Sequence, residues 1–259
     1  FSNPNTFRYS TRAAGPTAGA SVINVDDDGT GDFCTIQAAI DFVPANNPQR
    51  VVINVKNGTY TEIIYIPSNK PMITIKGESQ AGTIQRYSNN ASFNVLASGN
   101  YRTSFGVDAN DFAVENMTLH NTTPVGGSQA EALRTNGLRA VINSVTLKSF
   151  QDTLLTQKSA FVKDSYIEGD VDFMWGNGQT YFKNSEFKQL RATGAYYTQI
   201  RNNVGTVGNV YVGCTFSVGP GVTTASYLGR IDPDDFPGSQ VVLIDSKMDA
   251  LVFAEGWQF

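Results

Sequence analysis

Four side chains near the middle of the chain have types and spacing that suit acid–base and nucleophilic chemistry. They are Gln129 in SQAEAL, Gln151 and Asp152 in SFQDTL, and Asp172 in GDVDFMWG. Gln129 and Gln151 lie 22 positions apart, and Asp152 and Asp172 lie 20 apart. Two carboxyl groups held close together cannot both ionise cheaply. One keeps its proton and the other stays charged, which divides the acid and nucleophile roles. The bland alternative is that polar residues recur on an exposed sheet face because successive repeats resemble each other. The single histidine, His120, sits inside a strand-and-turn phrase where a structural role is expected. It leaves no obvious Ser-His-Asp or Cys-His pair and no His/Cys metal cluster. Catalysis by this chain would therefore rest on carboxylates and amides.

A step of about 20 residues aligns these side chains only if the chain returns to the same face once per repeat. From Asn116 onward a short phrase recurs, in which Asn, Asp, Gly or Ser precedes an apolar residue. It ends at Leu119, Leu147, Ile167, Phe187, Phe216 and Met248, in steps of 28, 20, 20, 29 and 32. Self-similarity at this period marks stacked coils, each of which buries its inner side only against its neighbours. Residues one coil apart then lie above one another at the ~4.8 Å spacing of paired strands. Short strands are expected at Val51–Val55, 73–76 and 112–114, separated by turn residues, with one amphipathic helix over 35–43. A β-sandwich with coincidental repeats is the alternative at this level.

The 259 residues are 41% hydrophobic and only 16% charged, with a net charge of −4. Asn, Ser, Thr, Gly and aromatics take the place of charges, which suits strands and turns better than helices. No basic run offers a footprint for nucleic acid. No apolar stretch approaches the ~20 residues of a membrane-spanning helix. The polar opening FSNPNTFRYSTRAAG reads as a processed N-terminus, with 1–20 an extended segment. Sequons at Asn57, Asn90, Asn116 and Asn121 point to secretion and glycosylation. Cys34 and Cys214 are expected as two thiols rather than a bridge. The acidic triplet at 26–28 is expected to form a turn, and Glu62 to be structural.

Five motifs occur in order: GTYTE at 58–62, QAEAL at 129–133, QDTL at 151–154, GDVDFMWG at 169–176 and YLGR at 227–230. EGW follows at 255–257. Together they resemble the pectin methylesterase (pectinesterase) family, over nearly the whole chain. The resemblance implies an all-β fold, a right-handed parallel β-helix with a short N-terminal helix, built as one domain over 1–259. It implies hydrolysis of the methyl esters of pectin outside the cell, with no cofactor and no metal. Position by position, it makes Asp172 the nucleophile and Asp152 the general acid, then base. Gln129 and Gln151 would donate to the oxyanion, and Arg230 would pair with Asp172. Phe173, Trp175, Leu155 and Asp232 fall where the family lines its sugar subsites. A monomer is expected, because the cleft must admit a long polymer.

The chain departs from the family pattern in LGRID, where LGRPW is usual, and in Leu155, where an aromatic follows QDTL. Two stacking platforms are lost, and Asp232 would repel free galacturonate carboxylates, favouring heavily methylated stretches. Three other readings compete: a β-helix enzyme that cleaves glycosidic bonds, a non-catalytic polysaccharide binder, and an esterase for another acyl group. Retention of both glutamines, both aspartates and the arginine argues against the binder.

Overall fold

The computed structural model describes residues 15–93, 101–249 and 251–259, so most of the expected N-terminal segment lies outside the described residues. The chain passes in rotation through three parallel sheets. The first sheet has nine strands, from Val22–Val25 to Val241–Ile244. The second has eight, from Gly58–Thr61 to Lys247–Met248, and the third eight, from Ile64–Ile66 to Trp257–Gln258. Each strand pairs with the equivalent strand one coil on. The result is a right-handed parallel β-helix, the hand that parallel crossovers favour.

The repeated phrase of the sequence is one column of this architecture. Leu119, Leu147, Ile167, Phe187, Phe216 and Met248 are successive register partners in the second sheet. All but Met248 are buried. A second column in the first sheet runs Ile53, Ile75, Val114, Ile142, Val162, Phe182 and Tyr211. The columns face each other, and toward the C-terminal coils they become aromatic. Phe182 stacks on Tyr211 at 4.7 Å, and Phe187 meets Phe182 edge-on at 5.2 Å.

The corner between these sheets explains the turn residues in the phrase. Asn116, Ser144, Asp164, Asn184 and Asp245 have φ between 48° and 57°, and Gly213 has 62°. Short polar side chains and glycine tolerate this left-handed conformation better than others. Each corner N–H from Asn116 to Gly213 donates to a carbonyl of the next coil, so the turns form a ladder of their own.

The helix spans Ile36–Phe42, with Thr35 as N-cap and Val43 as C-cap. Thr35 Oγ1 accepts from Ala38 N–H, and the buried Glu62 carboxylate accepts from Ile36 and Gln37 N–H at 2.8 and 3.0 Å. Glu62 thus serves the helix start, satisfying first-turn donors that lack intrahelical partners. The expected strand at 112–114 is observed one residue later, at Ala113–Glu115, with Phe112 buried just before it. The acidic triplet forms a turn, in which Asp26 and Asp28 accept from Thr30. No disulfide joins Cys34 to Cys214. Among the sequons, Asn121 is fully buried, and its amide donates to the Asn89 and Glu131 carbonyls. An oligosaccharide has no access there. His120 lies in the second sheet between Arg86 and Lys148.

Candidate active site

Asp152 and Asp172 each stand just before a third-sheet strand, Leu154–Thr156 and Met174–Gly176 respectively. Gln151 bridges Val171, and Asp152 N–H donates to the Val171 carbonyl at 3.1 Å. The two aspartates therefore occupy the same corner of adjacent coils. Ala130 N–H donates to the Gln151 carbonyl, setting Gln129 one coil earlier. The structure thus brings all four residues of the spacing argument to one edge. Both aspartates have positive φ, 69° and 48°. Such a conformation costs about 1–3 kcal/mol outside glycine and persists where the surroundings enforce it. Here the inter-coil hydrogen bonds enforce it.

The two carboxylates have different partners. Arg230 grips Asp172 at two points, Nε to Oδ1 at 3.1 Å and Nη2 to Oδ2 at 2.6 Å. Asp152 Oδ2 accepts from Arg102 Nη2 at 2.7 Å, but that arginine also binds the fully buried Glu131, at 2.8 and 3.0 Å through Nε. Burial, with Glu131 next in effect, pushes the Asp152 carboxyl up to about 8. Burial also raises Asp172, but two hydrogen bonds from Arg230 oppose it and the rise is smaller. The corner thus holds one carboxyl strongly biased toward its proton and another in which a paired guanidinium opposes the effect of burial. On the first of the glutamines, Ser128 donates its hydroxyl to Gln129 Oε1, which leaves the amide NH2 as donor.

The pectinesterase family model matches residues 22–259. The chain belongs to the pectinesterase family. That family comprises carboxylic ester hydrolases. The chain is 34% identical over 246 residues to pectinesterase 31 of Arabidopsis thaliana, covering 91% of this chain and 76% of that protein. It is 31% identical over 255 residues to pectinesterase 2 of Olea europaea, covering 92% of this chain and 65% of that protein. Carrot pectin methylesterase shares the fold, with a TM-score of 0.83 at 22% identity over 96% of this chain and 78% of that one. A pectin methylesterase solved in complex with a hexasaccharide has a TM-score of 0.77 at 26% identity, covering 89% of this chain and 80% of that one.

In this pectinesterase-family chain the expected sugar contacts are distributed unevenly. Arg134, Leu155, Trp175, Gln199 and Arg230 form one register row of the third sheet. Trp175 is half-buried, with the guanidinium groups of Arg102 and Arg201 at 5.3 and 5.1 Å from its ring. Leu155 is a correction: it is buried at 1% exposure, because the larger Arg134 and Trp175 flank it in the row. Phe173 is a second correction. The left-handed turn at Asp172 directs the following side chain inward, where Phe173 packs on Tyr197 at 5.4 Å. Neither side chain is presented to a ligand. Asp232 is exposed, and its Oδ1 accepts from Asp234 and Asp235 N–H, so it organises its own turn.

Sequence reasoning missed Arg102, Glu131, Arg201 and Tyr196, all of which stand around the aspartates. Glu131 lay inside a motif already singled out, and an acid beside a candidate site was the available signal. Arg102 had none, being 50 positions from Asp152 with no register to suggest contact. Tyr196 lies under the Arg230 guanidinium at 5.5 Å and stacks on Tyr227 at 6.0 Å.

Proposed function

We propose that this chain hydrolyses the methyl esters of pectin, releasing methanol and leaving galacturonate. The observation that carries the reading is the unequal pair of aspartates at one corner, Asp172 held by Arg230 and Asp152 by the shared Arg102. In this reading an Asp172 oxygen attacks the ester carbonyl carbon, and the electron pair moves to the carbonyl oxygen. The side-chain N–H groups of Gln129 and Gln151 stabilise that oxyanion, each such donor contributing roughly 3–4 kcal/mol. The intermediate collapses, and departing methoxide takes the Asp152 proton to leave as methanol. Water then attacks the acyl–Asp172 anhydride and gives a proton to Asp152, which frees the new carboxyl group and restores Asp172. Asp152, with its carboxyl raised to about 8, is suited to begin the cycle protonated near neutral pH.

Trp175 is the aromatic left to border the sugar, and Asp232 adds negative charge nearby in sequence to Arg230. The polymer belongs to the plant cell wall, so the proposed place of action is extracellular and the proposed working form a monomer. Asn57, Asn90 and Asn116 remain as acceptors for glycosylation. Among the described residues no helix is long and apolar enough to cross a membrane. The test is methanol release from highly methylated pectin by the unaltered protein and by Asp172→Asn. Release that the substitution abolishes supports the reading. No release from the unaltered, folded protein overturns it.

A further inference from the structure

Three bases follow one another on the outer face of the second sheet, a different face from the third-sheet row that carries Trp175 and Arg230. Arg86, His120 and Lys148 are successive register partners on strands Thr83–Tyr87, Thr118–Asn121 and Thr146–Lys148. Neighbouring strands are ~4.8 Å apart, so the three positions span about 10 Å along the axis of the coils. Arg86 is exposed, and His120 and Lys148 are half-buried. Like charges placed directly opposite across a sheet destabilise it. Farther along the same row the bases are matched: Lys188 meets Glu186 at 3.2 Å, and Glu168 lies 3.7 Å from Lys148. Among the described residues no carboxylate makes an ion pair with Arg86 or His120. In a chain of net charge −4, an unmatched basic run in register is an attractive surface for an anion from outside.

A small anion spans two of these positions at most, whereas a linear polyanion with a carboxylate on every unit meets all three. We propose that Arg86, His120 and Lys148 form a contact surface, outside the catalytic cleft, for de-esterified stretches of galacturonan. This rests on the esterase reading for the identity of the polymer, and it adds a means of retention on the product. The charged groups facing His120 are Arg86 on one side and Lys148 on the other, with Glu168 one coil beyond. Burial lowers the His120 imidazole and Lys148 lowers it further, so the ring is uncharged at neutral pH and completes the run of positive charge only in acid. Carboxylates stay ionised down to about pH 4, so the attraction strengthens as pH falls from neutral toward about 5. Each ester hydrolysed leaves a carboxyl group that releases a proton at neutral pH. The proposed reaction therefore supplies both the anion and the acidity to which the surface responds.

Co-sedimentation with insoluble, fully de-esterified galacturonan reads this surface without turnover, with an insoluble neutral galactan as comparison. The unaltered protein is expected to bind more tightly at about pH 5 than at about pH 7.5, and less tightly in high salt at both. His120→Gln should lose most of that pH response. His120→Lys, which fixes the charge, should bind at the higher pH as the unaltered protein does at the lower. Arg86→Gln, at an exposed position, should weaken binding roughly two- to fivefold at both. Methanol release from a short methyl-esterified oligomer should be unchanged in all three variants. A full pH response in His120→Gln, undiminished binding by Arg86→Gln, or equal losses for the neutral galactan would each overturn the assignment. Failure of the esterase reading is a separate result: no methanol release, with galacturonan binding still sensitive to Arg86 and His120.

Discussion

Asp172 and Arg230, 58 positions apart, meet in a two-point ion pair with contacts of 3.1 and 2.6 Å. The pair spans two coils of the third sheet. Trp175, three residues after Asp172, is aligned with Gln199, and Gln199 with Arg230. The guanidinium reaches back over the Tyr196 ring to the corner where Asp172 stands. A planar fork meeting both carboxylate oxygens fixes the orientation of Asp172 and opposes the rise that burial imposes on its carboxyl.

Arg230→Lys is accordingly a damaging substitution despite its retained charge, since an ammonium cannot reproduce the fork. Loss of one charge-assisted hydrogen bond predicts a fall in kcat of roughly 10- to 100-fold. Steady-state methanol release on pectin checks this; a variant within twofold of the parent (about 0.4 kcal/mol) would contradict it.

Asp152 predicts two pH effects. Its acid role requires the proton, so kcat/KM should decline as pH rises through about 8. For stability, the folded-state value lies above the ordinary carboxyl range, so between about pH 4 and 8 the folded protein binds more protons than the unfolded chain. The contribution is present in full below that window and is lost as pH rises through it. Asp152→Asn should flatten this part of the Tm–pH curve, measured by thermal melting. An identical slope in parent and variant would assign the pH dependence elsewhere.

Glu131 shares Arg102 with Asp152 and adds negative charge beside it. In Glu131→Gln the repulsion disappears and Arg102 is left to Asp152 alone, so both changes favour ionised Asp152. The alkaline limb of the rate profile should move to lower pH, with activity at neutral pH reduced several-fold. A purely structural role would lower Tm without moving that limb.

The stability of the stack has its own test. Phe187 is fully buried, with ring contacts to Phe182, Tyr211 and Phe216 at 5.2, 5.4 and 5.2 Å. Phe187→Ala should cost about 3–5 kcal/mol in denaturant unfolding. At the corner, Asp164 has φ 49°, so Asp164→Ala should cost about 1 kcal/mol and Asp164→Gly less. The reverse order would mean that the corner is not conformationally strained.

Much of the architecture was legible because it is written locally. The helix at Ile36–Phe42 has its cap residue, Thr35, directly before it. The column from Leu119 to Met248 was visible as a period because each coil repeats the same corner chemistry. The four residues Gln129, Gln151, Asp152 and Asp172 were found by the same period, since a coil of about 20 residues returns a side chain to its starting edge. Strand ends and side-chain directions were less legible. Phe173 and Leu155 follow the family's aromatic positions in sequence, yet one faces the core and the other is covered by its row neighbours. A left-handed turn inverts the simple alternation of a strand, and its φ is not spelled by residue type alone.

The sequence by itself determined the family, the coil period, the turn ladder and the chemical types present at the corner. Those properties depend on neighbours in the chain or on a repeat that preserves register. Only the tertiary structure decided which charges meet: Arg102 with Asp152 and Glu131, Arg230 with Asp172, and Arg201 with Trp175. The loops between strands differ in length from coil to coil, so spacing along the chain does not say which long side chains converge. Burial likewise arises only when the coils stack. It raises the Asp152 carboxyl and leaves Asp170 Oδ1 without a partner, because removal of water is a property of the packed molecule and not of any segment of it.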